Sequence, residues 1–303
     1  MLDPVGCFVQ QMVNLHAFRI SLFPRQAYQA SLTAIHTYEK QHIILLPDVI
    51  KRAKARPGCL IVDDTGVEKY GLNDECRVLF NHANKQYGHG YKLLLFLWHC
   101  EEGYLPLGFA LWSNDSPALT ELTLNGFRLL RNNYHLKGVK VLADAYFFNG
   151  KTTKRLDDYG WGFIMRCQKN RKLDNLSVRH LIPRGYGQAT GHLPNGVSVQ
   201  VIRHAGHFLA SNRKLLCRKQ LQALYKLRWG IEETFRFLKT TLGLTRCQQR
   251  TMRAQGIFVG LCLQTLARLQ QGLGQLSCKA LQTVIFEPDD PVETIQLTLF
   301  SFA

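Results

Sequence analysis

Two apolar runs in this chain stop on aspartate: Leu60-Ile-Val-Asp-Asp64 and Val139-Lys-Val-Leu-Ala-Asp144. Short runs of this kind, introduced by Gly58 and Gly138, read as buried strands. A strand that is apolar on both faces needs a layer on each side of its sheet. Between the two runs lie longer apolar stretches, Tyr91 to His99 and Tyr104 to Trp112, joined by the turn Cys100-Glu-Glu-Gly103, which predicts a hairpin. An amphipathic helix over 118–132 precedes the second aspartate strand, and a helix from Lys151 to Tyr159 and a strand from Gly162 to Cys167 follow it. A meander followed by alternating helix and strand predicts an α/β protein with a mixed sheet flanked by helices.

The flanks read differently. Residues 1–56 carry apolar residues at helical spacing (Leu32, Ile35, Tyr38; Leu45, Val49, Ile50) broken by prolines, which predicts a helical N-terminal segment, a candidate for DNA binding. Residues 57–167 form the first part of the core. Residues 168–213 are rich in Gly, Pro and β-branched residues, with a strand-like run at Val197 to Ile202, and predict a β-rich insertion. Residues 214–272 hold a strongly periodic helix from about Arg218 to Leu242 and an apolar helix from Ala254 to Leu269. Residues 273–303 are an acidic tail.

Charge narrows the function classes. The chain has 38 Lys and Arg against 22 Asp and Glu, a net charge of +16, yet only 20% of its residues are charged and 46% are hydrophobic. That excludes a disordered polycation and points to a folded protein with a polyanionic partner. Between Lys151 and Gly260 there are 21 Lys or Arg against five acids, with aromatic residues among them, a composition suited to nucleic acid. Lys169, Arg171 and Lys172 are the densest candidates for phosphate contact. The nine cysteines include no C-x-x-C pair, so neither a zinc framework nor a disulfide scaffold is expected. No apolar run reaches the roughly 18 residues that span a bilayer, and the first 22 residues lack the order of a signal peptide. A cytoplasmic location is therefore expected.

The strand-end acids carry the chemistry. Catalytic groups in α/β sheets gather at the carboxyl ends of strands, and carboxylates brought together there repel unless a cation such as Mg²⁺ lies between them. Asp63 and Asp64 point to opposite faces of their strand, so at most one enters such a site. Ala145-Tyr-Phe-Phe-Asn-Gly150-Lys151-Thr152 imitates a phosphate-binding loop, but three bulky aromatics occupy the wrap, where small residues are needed.

The long helix adds a third acid. Tyr225, Arg228, Glu232 and Lys239 lie at i, i+3, i+7 and i+14, within roughly a 60° arc at about 100° per residue. Leu224, Leu227, Ile231, Phe235, Leu238 and Leu242 form a separate apolar stripe. One face is core, and the neighbouring face presents an acid, two cations and a phenol.

These residues resemble a known family. Tyr225-x2-Arg228-x3-Glu232-x6-Lys239 is similar to the signature of the insertion sequence four family of bacterial DDE transposases. Asp64-Thr65 resembles that family's first catalytic aspartate, and Asp144-Ala145-Tyr146-Phe147 its second. The resemblance spans about residues 58 to 250. It implies a ribonuclease H-like mixed sheet, interrupted by the β-rich insertion in the 87 residues between Asp144 and Glu232. It also implies that Asp64, Asp144 and Glu232 are catalytic and hold two Mg²⁺ ions, with Mn²⁺ able to substitute. Tyr225, Arg228 and Lys239 would then face the DNA backbone. Cut-and-paste transposition, a hairpin intermediate on double-stranded transposon ends, a homodimer on paired ends and a bacterial, nucleoid-associated location follow from the resemblance alone. The rival readings are a non-catalytic DNA-binding protein derived from a transposase and a host nuclease of the same fold.

Overall fold

The computed structural model describes residues 42–69, 75–81, 85–183, 185, 187–204, 206–213, 217–247 and 251–273. The acidic tail and most of the expected N-terminal helical segment lie outside the described residues. The segment just before the core is not purely helical. Ile43–Leu45 is a strand, β1, and Pro47–Lys54 a helix, α1, which starts on proline, where the missing N–H costs nothing.

The core begins with β2 (Cys59–Glu68), β3 (Arg77–Asn81), β4 (Gln86–Cys100) and β5 (Gly103–Trp112). Helix α2 (Leu119–Asn132), β6 (Lys140–Ala143), α3 (Gly150–Asp158) and β7 (Gly162–Cys167) follow. Next come β8 (Lys172–Leu173), β9 (Leu176–Ser177), the single turn α4 (Val178–Leu181), β10 (Gln188–His192), β11 (Ser198–His204) and β12 (His207–Ser211). Helices α5 (Arg218–Lys226), α6 (Trp229–Thr240) and α7 (Met252–Leu273) end the described chain.

One ten-stranded sheet runs in the order β1-β5-β4-β2-β6-β7-β12-β11-β10, with β3 paired to β4. Strands β2, β6 and β7 are parallel neighbours and all other pairs are antiparallel. The mixed sheet flanked by helices is thus what the strand and helix pattern predicted. The stretch 168–213 contains strands that join the same sheet. Strand β12 pairs with β7, from Phe208↔Cys167 to Ser211↔Ile164, so β10 to β12 extend the core sheet.

Both faces of the sheet centre are covered. Leu93 to Leu97 on β4 are fully buried, which explains their unbroken apolar run. On one face α2 comes so close that a Cβ on Gly126 would sit 2.1 Å from the Phe96 ring. On the other, α7 crosses β5, and the Tyr91 hydroxyl hydrogen-bonds Gln255 Oε1 at 3.1 Å. Helix α6 lies on this second face, and a Cβ on Gly230 would come within 2.0 Å of Tyr104 Cζ. Only glycine lets the helix approach β5 this closely.

The expected single helix over 218–242 is two. Its ladder tightens to i→i+3 bonds at Arg228 N–H to Tyr225 O, Gly230 N–H to Leu227 O and Ile231 N–H to Arg228 O. This short over-wound step re-phases α6 relative to α5, and the Tyr104 hydroxyl donates to the carbonyl of Leu227 at 3.2 Å.

Candidate active site

The seam between β2 and β6 positions two carboxylates. Their parallel register pairs Leu60 with Val141, Ile61 with Leu142 and Val62 with Ala143. Continued by one residue, it brings Asp63 beside Asp144 with both side chains on one face. Cys59 to Val62 are buried. Asp144 stands just past the end of β6, whereas Asp63 lies midway along β2, which runs on to Glu68 beside β4 instead of stopping at its aspartates, at the point where its β6 partner ends. The Asp63 carboxylate accepts the backbone N–H of Asp64 at 2.9 Å, and that of Asp144 accepts the backbone N–H of Ala145.

Helix α6 lies over the same face and brings Glu232. Arg228, at its start, donates one guanidinium nitrogen to Asp63 Oδ2 and the other to Glu232 Oε1. One cation therefore ties the Asp63 carboxylate of β2 to the helix acid. The Arg228 guanidinium lies over the Tyr225 ring, 5.8 Å from its centroid. Lys239, three turns along α6, donates to Thr65 Oγ1 at 2.7 Å, which fastens the helix to the strand on the Asp63 side.

Electrostatics mark Asp63 as the focus. Burial pushes its carboxyl from 3.8 up to about 7. Asp64 and Asp144 add to the rise, while Arg228 and the Asp64 N–H oppose it. Burial likewise raises the Tyr225 hydroxyl, partly offset by Arg228 and reinforced by Asp144. Burial lowers the Lys239 ammonium. For Arg228 burial works downward, but Tyr225, Asp63, Glu232 and Asp144 outweigh it and hold the guanidinium charged.

The placement differs from the sequence expectation at several residues. Asp64 is the expected first carboxylate and Asp63 its control, yet it is Asp63 that lies on the face of Asp144 and Arg228. Strand alternation turns Asp64 to the opposite face, where its Oδ2 lies 2.9 Å from Lys92 Nζ. Asp144 and Glu232 do lie on the face where they were expected. Tyr225 ends one helix and Arg228 and Lys239 belong to the next, so they do not share the arc of a single helix; Arg228 lies between Tyr225 and the carboxylates, and Arg228 and Lys239 bond protein groups. Arg171, expected on DNA, is also committed, donating to the carbonyl of Phe148 at 2.6 Å with its guanidinium over the Phe148 ring. It pins the β-rich segment to the loop after β6. Lys169 and Lys172 are exposed, as a phosphate contact requires. Two aromatics close in sequence to Arg228 and Asp144 are exposed, Trp229 at 55% and Tyr146 at 50%; Tyr146 belongs to the quoted second-aspartate motif, and Trp229 is not singled out by the sequence reading. The flanking residues Arg228 and Asp144 were the available signal.

As they stand, no three His, Cys, Asp or Glu side chains among the described residues are grouped to hold a metal ion, with Arg228 lying between Asp63 and Glu232. By type, though, the donors suit a hard divalent cation. Asp63 and Asp144 are neighbouring carboxylates whose repulsion helps raise Asp63, and a dication relieves such repulsion.

Among solved structures the chain is similar to the piggyBac transposase synaptic complex with hairpin DNA, at 8% identity and a TM-score of 0.46. That match covers 83% of this chain and 59% of the other, so the chain spans less than two thirds of that protein's length. It is also similar to the catalytic domain of human endonuclease V, at 11% identity and a TM-score of 0.27, covering 83% of this chain and 100% of that one. No curated protein matches it significantly in sequence. No helix among the described residues is long and apolar enough to cross a membrane. The family model of the transposase DDE domain matches residues 54–268, a span that contains Asp63, Asp144 and all of α6. The chain belongs to the transposase DDE domain family.

Proposed function

We propose that this chain is a DNA transposase of the insertion sequence four group, which cuts transposon ends and joins them to target DNA by phosphoryl transfer. The parallel register that aligns Asp63 with Asp144, under a helix whose Glu232 is tied to Asp63 through Arg228, carries this reading. Asp63, Asp144 and Glu232 are the reacting-centre carboxylates, and Asp64 is not one of them.

The family uses divalent metal ions. Two Mg²⁺ or Mn²⁺ held by Asp63, Asp144 and Glu232 would supply Lewis acidity to the attacking and leaving oxygens of an in-line displacement. The remaining work falls to the chain's own side chains. Arg228 offers a planar fork that suits phosphate as well as carboxylate, so it exchanges a carboxylate for the DNA backbone when a strand enters. Tyr225, stacked under that guanidinium, keeps its plane fixed. Lys239 holds α6 in register with β2, which keeps Glu232 over Asp63 and Asp144. Lys169 and Lys172 form an exposed basic flank that attracts double-stranded DNA. Paired ends engage a homodimer.

The test uses a supercoiled plasmid carrying the gene with its own flanking DNA. With Mg²⁺ the purified chain excises the segment, and Asp63→Asn, Asp144→Asn and Glu232→Gln each bind the same DNA without cutting it. A wild-type chain that binds this DNA yet never cuts it, with Mg²⁺ or Mn²⁺, sinks the enzymatic reading in favour of a DNA-binding relative.

A further inference from the structure

The face of β2 opposite Arg228 holds a second cluster that the proposed chemistry leaves unused. Lys92 Nζ lies 2.9 Å from Asp64 Oδ2, 5.7 Å from the centroid of the Trp112 ring and 6.0 Å from that of Tyr146. Arg77 stacks on the far end of the group, its guanidinium 4.2 Å from the Trp112 ring. Tyr146 sits two residues after Asp144, in a turn closed by Phe147 N–H to Asp144 O at 3.2 Å.

The ring of Tyr146 is half exposed, whereas Phe147 and Phe148 beside it are 1% exposed. Exposure does not leave it loose. Phe147 meets it edge-on, with centroids 5.3 Å apart and planes at 84°. Its backbone carbonyl accepts from Asn149 Nδ2 at 3.3 Å, and Asn149 itself caps α3 through the Thr152 N–H at 3.0 Å. A braced ring with an open face, beside an ammonium group and next to a reacting-centre carboxylate, has the parts a nucleotide needs: a π-surface for the base and a point charge for its phosphate.

We propose that Tyr146 and Lys92 form a stacking platform for an unpaired nucleotide next to the scissile phosphate, with Asp64 as the positioning residue that aims Lys92. This rests on the transposase reading. It assigns the sheet's two faces different parts of one strand: Arg228 takes the backbone on the carboxylate side, and the platform takes the base that leaves the duplex on the other. A base meeting an aromatic face is held without regard to its sequence, so the platform senses whether the end is frayed and not what it spells.

The full chain is titrated with two fluorescent duplexes made from the DNA flanking its gene. One is fully paired, and the other carries two unpaired nucleotides at the end. The wild type prefers the frayed probe, and Tyr146→Ala loses roughly tenfold in affinity for it, in line with the stacking of one base, while binding the paired probe unchanged. Tyr146→Phe keeps the preference, because the ring and not the hydroxyl is used. Lys92→Ala lowers the salt slope of binding to the frayed probe by about one phosphate contact, and Lys92→Arg restores it. Thermal melting of Tyr146→Ala stays at the wild-type value, which separates lost stacking from lost folding. If the wild type and Tyr146→Ala show the same preference, the platform is overturned while the transposase reading stands. A wild type that binds neither probe overturns both.

Discussion

The two faces of β2 midway along the strand hold adjacent aspartates with opposite surroundings. Asp63 lies under α6, is tied to a guanidinium that also holds Glu232, and stands beside Asp144. Asp64 lies toward the α2 and α3 side and is bound to a lysine that is itself one-third exposed. Chemically the two residues are identical, and their separation along the chain is a single peptide. What differs is the company that strand alternation and the next strand's register impose. An acid becomes a candidate for catalysis through what the sheet sets beside it.

The largest effect expected from this contrast is on DNA cleavage. Asp63→Asn should reduce Mg²⁺-dependent cutting by well over the roughly 10–100-fold seen when only an outer partner of a metal ligand is lost. Asp64→Asn should stay within that outer-partner range or below it. Single-turnover cleavage of the flanking DNA by both variants decides this, and a reversed order would hand the site to Asp64.

Stability comes next. Arg228→Ala leaves Asp63 and Glu232 without their shared cation. Because Arg228 and Asp63 are each only 15% exposed, the loss should approach the roughly 3–5 kcal/mol of a broken buried pair. Lys92→Ala removes a partner that is itself 33% exposed from an Asp64 that is 13% exposed, and should cost less, about 1–3 kcal/mol. Urea denaturation of both variants measures the difference, and equal costs would dissolve the contrast.

A smaller effect is on pH dependence in the absence of divalent ions. Below about pH 4 Asp63 is protonated in both the folded and the unfolded chain. Between its ordinary value of 3.8 and its folded value of about 7, the folded chain keeps the proton that the unfolded chain releases. The folded state binds more protons in that window, so this residue makes stability fall as pH rises through it, by at most about 1.4 kcal/mol per unit. Above about pH 7 the loss is complete. Melting curves from pH 4 to 8 should show a decline that Asp63→Asn flattens, and an unchanged slope would mean that Asp63 is ionised in the fold at all these pH values.

Much of this frame was legible before any coordinates. Strands at Tyr91 to His99 and Gly162 to Cys167 announce themselves by apolar runs between turn residues, and the structure has both. The four-residue spacing of Arg228 and Glu232 puts them on one helix face, and they bond each other, whereas Tyr225 reaches Arg228 from the preceding helix. The choice between Asp63 and Asp64 was not legible from local sequence, for a physical reason. Cys59 to Val62 are buried on both faces, so the strand shows no polar alternation to tell inside from outside, and the answer lies in its pairing with β6. The break at Leu227 and Arg228 was hidden as well. Both residues keep right-handed helical angles, and no proline marks a hydrogen-bond step that only the approach to Tyr104 requires. Nor does the run from Gln188 to Ser211 reveal that its strands add to the core sheet, because edge pairing depends on which strand β7 leaves open.

The order in which the sheet is threaded has a consequence during synthesis. Strand β7 can gain its outer neighbour only after β12 has left the ribosome, and Asp63 and Asp144 gain Arg228 and Glu232 only after α6 has followed. A nascent chain still short of α6 therefore exposes the Asp63–Asp144 seam without its cationic clamp or its third carboxylate. On the proposed function, such a chain already carries the exposed Lys169 and Lys172 that would bind DNA, yet it lacks the complete set of carboxylates. Incomplete translation products of this polypeptide are thus expected to occupy DNA without cutting it, competing with the finished protein for the same ends.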